Sequence, residues 1–145
     1  MEVYYSSNVT PLFTVSTYAD SGDAPHELAY SPDGTMIAVC EGWGGSNARE
    51  RVYHALNGTQ LFSYTSSTSC LDAAWSPDSS QVAFSHSYYQ ADGAKIRVVN
   101  SRTGSLVDDM TSGRPGNCNS GGGGNNCATI NGIDWGPDGY YIISA

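Results

Sequence analysis

A turn motif that recurs three times constrains the fold of this chain more than any other feature. The motif occupies residues 28–34, 73–79 and 133–139, with Ser-Pro-Asp or Gly-Pro-Asp at its centre, and a β-rich apolar run follows each copy. Proline sets φ at the first central turn position, aspartate bonds nearby backbone, and glycine accepts a positive φ. Each copy therefore predicts a tight β-hairpin, and their recurrence predicts a repeat architecture.

The spacing of the copies predicts the size of the repeating unit. The first two copies align at a constant offset of 45 residues, which matches Tyr30 with Trp75 and Leu61 with Leu106. The third copy follows the second by 60 residues, so one loop carries an insertion of 15. A second hairpin is indicated in each unit, around the Asn-Gly pair at 57–58 in the first. Each unit is thus predicted as four short antiparallel strands, and no stretch has helical periodicity.

This pattern resembles the WD-repeat and WD-like β-propeller superfamily. The best match runs through residues 74–78, 96–100 and 103–104, whereas the Gly-His dipeptide is absent and Val99-Asn100 stands where the family has Trp-Asp. The resemblance implies a binding scaffold in which enzymes are a minority, and it implies no particular ligand. The expected fold is an all-β partial β-propeller of four-stranded antiparallel blades, about three blade equivalents, with split half-blades at the two termini.

The two ends of the chain are predicted to be complementary halves of a blade. Asn8 aligns with Asn57 and Leu12 with Leu61, so the N-terminal segment matches the second hairpin of a unit, and residues 129–145 match a first hairpin. The predicted segments are an outer half-blade over 1–20, full blades over 26–67 and 70–112, a Gly-rich insertion loop over 113–128, and an inner half-blade over 129–145.

Three explanations account for split half-blades, since propellers close with about four to eight blades. The C-terminal half-blade of one subunit could pair with the N-terminal half-blade of the next, which gives a closed ring or an open filament. The chain could instead be a piece of a longer propeller, or an irregular monomer with frayed ends. The first explanation makes the chain its own partner and predicts a subunit interface at Val3, Tyr4, Tyr5, Leu12, Phe13, Tyr140, Tyr141, Ile142 and Ile143.

The four cysteines predict disulfides rather than a zinc site, because none has Cys-x₂-Cys spacing. Cys118 and Cys127 bracket a segment with four consecutive glycines, whose ordering a disulfide would make less costly. Cys40 ends a second strand and Cys70 begins the next inner strand, so both are expected on one face of neighbouring blades. The alternative for this pair is two buried free thiols.

Two sequons and the charge indicate the compartment and the classes of partner. Asn8 and Asn57 are predicted glycosylation sites at equivalent outer turns. Together with the disulfides they favour an extracellular or secreted protein, in a mature or trimmed form because the first residues do not resemble a signal peptide. Six Lys and Arg against fourteen Asp and Glu give a net charge of −8, so nucleic-acid binding and membrane insertion are not expected.

No catalytic, metal or cofactor site is expected from the sequence. The three histidines lack metal-ligand spacing, and the recurring aspartates are required by the turns. Trp43, in a Gly-rich loop, is a candidate contact for glycans or other extracellular proteins, and packing against a neighbouring blade is its alternative. Trp75 and Trp135 occupy equivalent inner-strand positions and are expected in the core.

The sequence therefore predicts a non-enzymatic extracellular structural and interaction protein. It is expected to self-assemble head-to-tail by completing β-propeller blades between subunits. The alternative is a ligand-binding or protein-binding propeller fragment of a larger secreted protein or hydrolase. An enzyme would require residues from outside this chain.

Overall fold

The computed structural model describes residues 1–7, 10–16, 25–42, 48–66, 68–86, 95–111 and 129–145. These ranges contain strands and turns. The strands are β1 (Glu2–Tyr4), β2 (Pro11–Thr14), β3 (Pro25–Tyr30), β4 (Met36–Glu41), β5 (Ala48–His54), β6 (Gln60–Ser66), β7 (Cys70–Trp75), β8 (Gln81–His86), β9 (Lys95–Asn100), β10 (Leu106–Thr111), β11 (Ile133–Trp135) and β12 (Ile142–Ser144). Within these ranges, no helix is long and apolar enough to cross a membrane.

The strands form four antiparallel sheets in chain order. β1 and β2 form half-blade N, β3 to β6 form blade 1, β7 to β10 form blade 2, and β11 and β12 form half-blade C. The predicted all-β partial propeller with split half-blades is therefore confirmed. The register supports the predicted match between half-blade N and a second hairpin, because Val3 pairs with Phe13 as Val52 pairs with Phe62, with a bulge at the same place.

The recurring motif forms the turn that its residues predict. In blade 1 the Ser31 hydroxyl donates to Asp33 Oδ1 at 2.6 Å and accepts the Met36 N–H at 3.0 Å. The Thr35 N–H also donates to Asp33 Oδ1, at 3.0 Å. These two donors, with the Ser31 hydroxyl foremost, hold the pKa of Asp33 below its usual value. The turn therefore binds the aspartate in its ionised form.

The second copy of the turn is built in the same way without glycine. The pKa of Asp78 is lowered by the Ser80 N–H and then by the Ser76 hydroxyl, which both donate to its carboxylate. Ser79 occupies the position of Gly34 and has a φ of 62°, close to the 69° of Gly34. The left-handed backbone is thus set by the turn, whichever residue occupies it.

The constant offset of 45 residues is wrong for the second hairpin of the blades. In blade 1 Tyr53 pairs with Gln60 at the bulge, and in blade 2 Val99 pairs with Leu106 at the equivalent bulge, which is an offset of 46. Leu106 therefore corresponds to Gln60 and not to Leu61. One extra residue precedes β9, and the uniform hydrophobic pattern of the strands conceals it.

The apolar core lies between the sheets. Alternate residues of a strand face opposite sides of a sheet, and all six residues of β4 are buried because both faces of blade 1 are covered at this strand. One cluster joins blade 1 to blade 2 through Met36, Ala38, Cys40, Val52, Cys70, Ala73, Trp75, Val82, Phe84 and Val99. Two smaller clusters join half-blade N to blade 1 and blade 2 to half-blade C.

A disulfide crosses the interface between the two full blades. It links Cys40 near the end of β4 to Cys70 at the start of β7, with the Cα atoms 5.1 Å apart and a sequence separation of 30. The structure thus contains the expected bridge, and the alternative of two free thiols is excluded. Cys118 and Cys127 lie outside the described residues.

Loss of this bridge should destabilise the fold measurably. The variant Cys40→Ala/Cys70→Ala is expected to lower the free energy of unfolding by about 3 kcal/mol, since the bridge restricts a 30-residue loop of the unfolded chain. Urea unfolding followed by tryptophan fluorescence measures this change. A loss below about 1 kcal/mol would show that the bridge contributes little to the interface.

The turn aspartates should make stability fall in acid. Because the pKa values of Asp33 and Asp78 are lowered in the fold, their ionised forms stabilise it above the unfolded pKa, and this contribution is lost as the pH falls through the folded pKa. Asp33→Asn/Asp78→Asn, which keeps the side-chain shape, should flatten the unfolding free energy between about pH 5 and pH 2. An unchanged acid slope would contradict this assignment.

Candidate functional site

The interface between blade 1 and blade 2 shows how complete neighbouring sheets pack in this chain. The Trp75 indole N–H donates to the Ala29 carbonyl oxygen of the preceding blade at 2.9 Å. The Asp33 N–H donates to the Ser79 hydroxyl at 3.1 Å, so the two turns are also joined. These contacts, the disulfide and the apolar cluster make this interface the reference with which the interfaces at the two half-blades are compared.

The β5–β6 turn and the β9–β10 turn, the outer turns of blades 1 and 2, make the same kind of contact with the preceding sheet. A Cβ on Gly58 would lie 2.6 Å from Phe13 Cδ2 of half-blade N, and a Cβ on Gly104 would lie 2.7 Å from Phe62 Cγ of blade 1. Both glycines also have a φ of 70°. Each outer turn therefore needs glycine for its backbone and for the close approach of a phenylalanine from the preceding sheet.

A buried polar cluster spans the same interface and was not apparent from the sequence. Glu50 of blade 1 is fully buried, and its carboxylate lies 2.6 Å from His86 Nε2 and 3.3 Å from Arg97 Nε of blade 2. The Arg97 guanidinium stacks over the Tyr64 ring at 3.6 Å, and His86 Nδ1 lies 3.2 Å from Thr68 Oγ1. The cluster places cationic and hydrogen-bonding groups of blade 2 around a buried carboxylate of blade 1, so removal of one partner should leave the other buried and unpaired.

A second ion pair is buried within blade 1. Arg51 Nη1 lies 3.3 Å from a Glu41 carboxylate oxygen and donates to the Tyr53 hydroxyl at 3.1 Å. Burial raises the pKa of Tyr53. Across the seven described ranges, no group of three or more His, Cys, Asp or Glu is arranged to hold a metal ion.

The incomplete interfaces lie at the two half-blades. In the part of the chain that the structure describes, β1 pairs only with β2, and β12 pairs only with β11. The equivalents of β12 and β1 in blade 1 are β4 and β5, which pair along six residues from Met36–His54 to Glu41–Arg49. The two unpaired edges are therefore the two edges that a complete blade joins.

Large exposed hydrophobic side chains concentrate at these incomplete interfaces. Seven of the eleven in the described ranges lie on the half-blades or on the inner strand of blade 1, namely Tyr4, Tyr5, Leu28, Tyr30, Tyr140, Tyr141 and Ile143. The other four lie on the outer hairpins of the full blades, namely Leu56, Tyr64, Leu106 and Val107. A concentration of exposed apolar side chains of this kind marks an interaction surface.

The predicted interface residues fall into two groups. Val3 and Phe13 pack against blade 1, and Ile142 packs against blade 2, so the side chains of these three already have partners within the chain. Leu12 is partly buried in β2. The exposed group is Tyr4, Tyr5, Tyr140, Tyr141 and Ile143.

The other predicted site residues differ in what the structure describes. Asn57 is exposed in the β5–β6 turn, where its Oδ1 accepts the Thr59 N–H at 3.0 Å. Asn8 and Trp43 lie outside the described residues. Trp75 is buried as predicted, whereas Trp135 is only partly buried, and its indole N–H donates to Gly139 of its own turn at 3.2 Å.

Comparison with known proteins supports the fold. No protein-family model matches the chain, and no curated protein matches it in sequence. Solved structures that are similar to it include a chain of a mitotic checkpoint complex, with a TM-score of 0.69 and 16% identity over 99% of this chain and 39% of that chain.

Two further solved structures are similar to the chain. A candidate 6-phosphogluconolactonase from Bacteroides uniformis has a TM-score of 0.63 and 24% identity over 99% of this chain and 39% of that one. A chain of the complex of KlAtg21 with the coiled-coil of AgAtg16 has a TM-score of 0.68 and 18% identity over 99% and 43%. This chain therefore spans about two fifths of these propeller-like chains, and the shared feature is the fold.

The buried cluster yields a test of how the full blades are held together. Glu50→Ala should lower the free energy of unfolding by about 3 kcal/mol, because it leaves His86 and Arg97 without their shared carboxylate. Asp109→Ala is the control, since Asp109 lies 3.9 Å from Lys95 in an exposed pair, and it should cost below about 1 kcal/mol. Urea unfolding of both variants measures the difference, and equal losses would contradict the assignment.

Proposed function

We propose that this chain is a non-enzymatic structural protein, with WD-like blades, that assembles head-to-tail by completing a β-propeller blade between copies. The observation that carries the proposal is the pair of unpaired edges on β12 and β1. Unpaired edges are templates for pairing with another chain, and proteins usually cover them. Joining β12 of one copy to β1 of the next would make a four-stranded sheet in the order β11-β12-β1-β2, which is the order of blades 1 and 2.

The repeat also predicts the register of this pairing. Ile142 pairs with Trp135 as Ile37 pairs with Tyr30, so Ile142 occupies the position of Ile37. Tyr4 occupies the position of Tyr53, because both lie at the bulge of their hairpin. Since Ile37 pairs with Tyr53 in blade 1, Ile142 of one copy should pair with Tyr4 of the next.

The side chains brought together in this register suit a sheet. The neighbouring pairs would be Tyr141 with Tyr5 and Ile143 with Val3. Aromatic and β-branched cross-strand pairs stabilise antiparallel sheets by roughly 0.2–1 kcal/mol each. Tyr141, Tyr5 and Ile143 are 70%, 53% and 66% exposed in the single chain, so the pairing would cover apolar surface that is otherwise in water. Whether the rotation between copies closes decides between a ring and a filament.

An oxidising, extracellular location is part of the proposal. The Cys40–Cys70 disulfide supports it, because such bonds persist mainly outside the cytosol. Glycosylation at Asn57 is compatible with the exposure of its turn. The proposal includes no nucleic-acid or membrane partner, in keeping with the net charge of −8.

The alternative function is a ligand-binding or protein-binding segment of a longer propeller. It is favoured by the length of the similar structures, of which this chain spans about two fifths. Both edges would then pair with strands of the same polypeptide, and glycans or other extracellular proteins would be the partners. An intact chain mass well above 15.3 kDa in the source material would support this alternative.

The proposed register can be tested by cysteine cross-linking. Val3→Cys/Ile143→Cys should give a ladder of disulfide-linked multimers on a non-reducing gel, because the two positions oppose each other across the new strand pair. Val3→Cys/Tyr141→Cys is the control, since Tyr141 is displaced from Ile143 by two residues, roughly 7 Å along the strand. Monomers alone, or equal ladders from both variants, would contradict the proposed pairing.

A further inference from the structure

The inner strand of blade 1 exposes two side chains whose equivalents in blade 2 are buried. Ala73 and Trp75 of β7 belong to the cluster between blades 1 and 2, and are 6% and 7% exposed. At an offset of 45 residues, their equivalents in β3 are Leu28 and Tyr30, which are 50% and 57% exposed. The same face of the inner strand is therefore covered in blade 2 and uncovered in blade 1.

The reason lies in what half-blade N contains. Its two strands match the outer strands of a blade, and they pack on Ile37, Val39, Tyr53 and Ala55 of blade 1. In the described residues the sheet of half-blade N consists of these two strands, and no inner strand covers Leu28 and Tyr30. Strands of that kind are present in half-blade C, at the other end of the chain.

Half-blade C carries a shallow apolar depression on the matching face. Its volume is about 230 Å³, and it is lined by Gly132, Ile133, Asp134, Ile143, Ser144 and Ala145. By the repeat, Asp134 and Ile143 are the equivalents of Ala29 and Ala38, which belong to the face of blade 1 that receives Trp75. The depression is thus in the place where the next blade's inner strand would pack.

We infer that, in the assembly, Leu28 and Tyr30 of one copy occupy the depression on half-blade C of the preceding copy. The inference rests on the proposed function, and it assigns a second contact surface, formed by side chains in addition to the strand pairing. The occupant is a second copy of this chain, because the copy that supplies β1 and β2 to the shared blade also places its own blade 1 against that blade. Both contacts therefore involve the same two copies.

Tyr30 resembles Trp75, whose place it would take in the interface between copies. In the complete interface, Trp75 combines a large ring with an N–H that donates to the Ala29 carbonyl oxygen at 2.9 Å. Tyr30 likewise combines a ring with a hydroxyl donor. The Asp134 carbonyl oxygen is the acceptor at the position equivalent to that of Ala29. Aromatic side chains with one polar group are typical of interface cores.

The test compares the critical concentration for assembly among matched variants by sedimentation. Tyr30→Ser and Leu28→Ser should each raise it about tenfold, which corresponds to about 1.4 kcal/mol per contact. Leu56→Ser is the control, because Leu56 is 69% exposed in the β5–β6 turn of blade 1, whose outer hairpin has neighbouring sheets of its own copy on both sides, and this variant should assemble like the wild type. Tyr30→Trp, which copies the residue at the equivalent position, should assemble at least as well as the wild type.

The outcomes separate the two proposals. Thermal unfolding of each monomer checks that the exposed substitutions leave the fold intact. If the wild type assembles and Tyr30→Ser, Leu28→Ser and Leu56→Ser all behave alike, the face contact is refuted and blade completion stands. If the wild type does not assemble at any concentration tested, the proposed function fails, and the face contact fails with it.

Discussion

The packing of one sheet face against the next is the constraint on which the rest of this structure depends. Each full blade is a four-stranded sheet whose second strand is covered by neighbouring sheets, so that all six residues of β4 are buried, whereas an outer strand such as β10 is largely exposed. A sheet of this kind gains its stability from its neighbours, since it has no core of its own. The stability of each blade therefore depends on the completeness of the interfaces on either side of it.

Among the residues that the structure describes, one interface between sheets is complete, between blades 1 and 2, and several kinds of interaction converge there. A disulfide, a tryptophan bonded to the preceding blade and a fully buried glutamate shared by His86 and Arg97 all cross it. Within the described residues no disulfide crosses the two incomplete interfaces, and these interfaces expose tyrosine, leucine and isoleucine side chains. This contrast is the basis for proposing that the half-blades are completed by another copy.

The sequence predicted the local structure well because local chemistry determines it. The three turns depend on residues within five positions of one another, and the Cys40–Cys70 bridge follows from strand order.

The sequence offset between the second hairpins of the two blades was misjudged, because a loop can gain one residue without altering the hydrophobic pattern. The Glu50–His86 contact was not predictable, since it joins residues 36 apart whose encounter depends on how two sheets pack. Trp135 was expected in the core, but it is only partly buried, and its indole N–H donates within its own turn and not to the preceding blade as that of Trp75 does.

Cryo-electron microscopy of the purified protein is the most direct test of blade completion between copies. Blade completion predicts rings or filaments in which one blade in every repeat is a four-stranded sheet built from β11 and β12 of one copy and β1 and β2 of the next. Dispersed particles of 15.3 kDa, or an assembly that leaves the β12 and β1 edges unpaired, would contradict it.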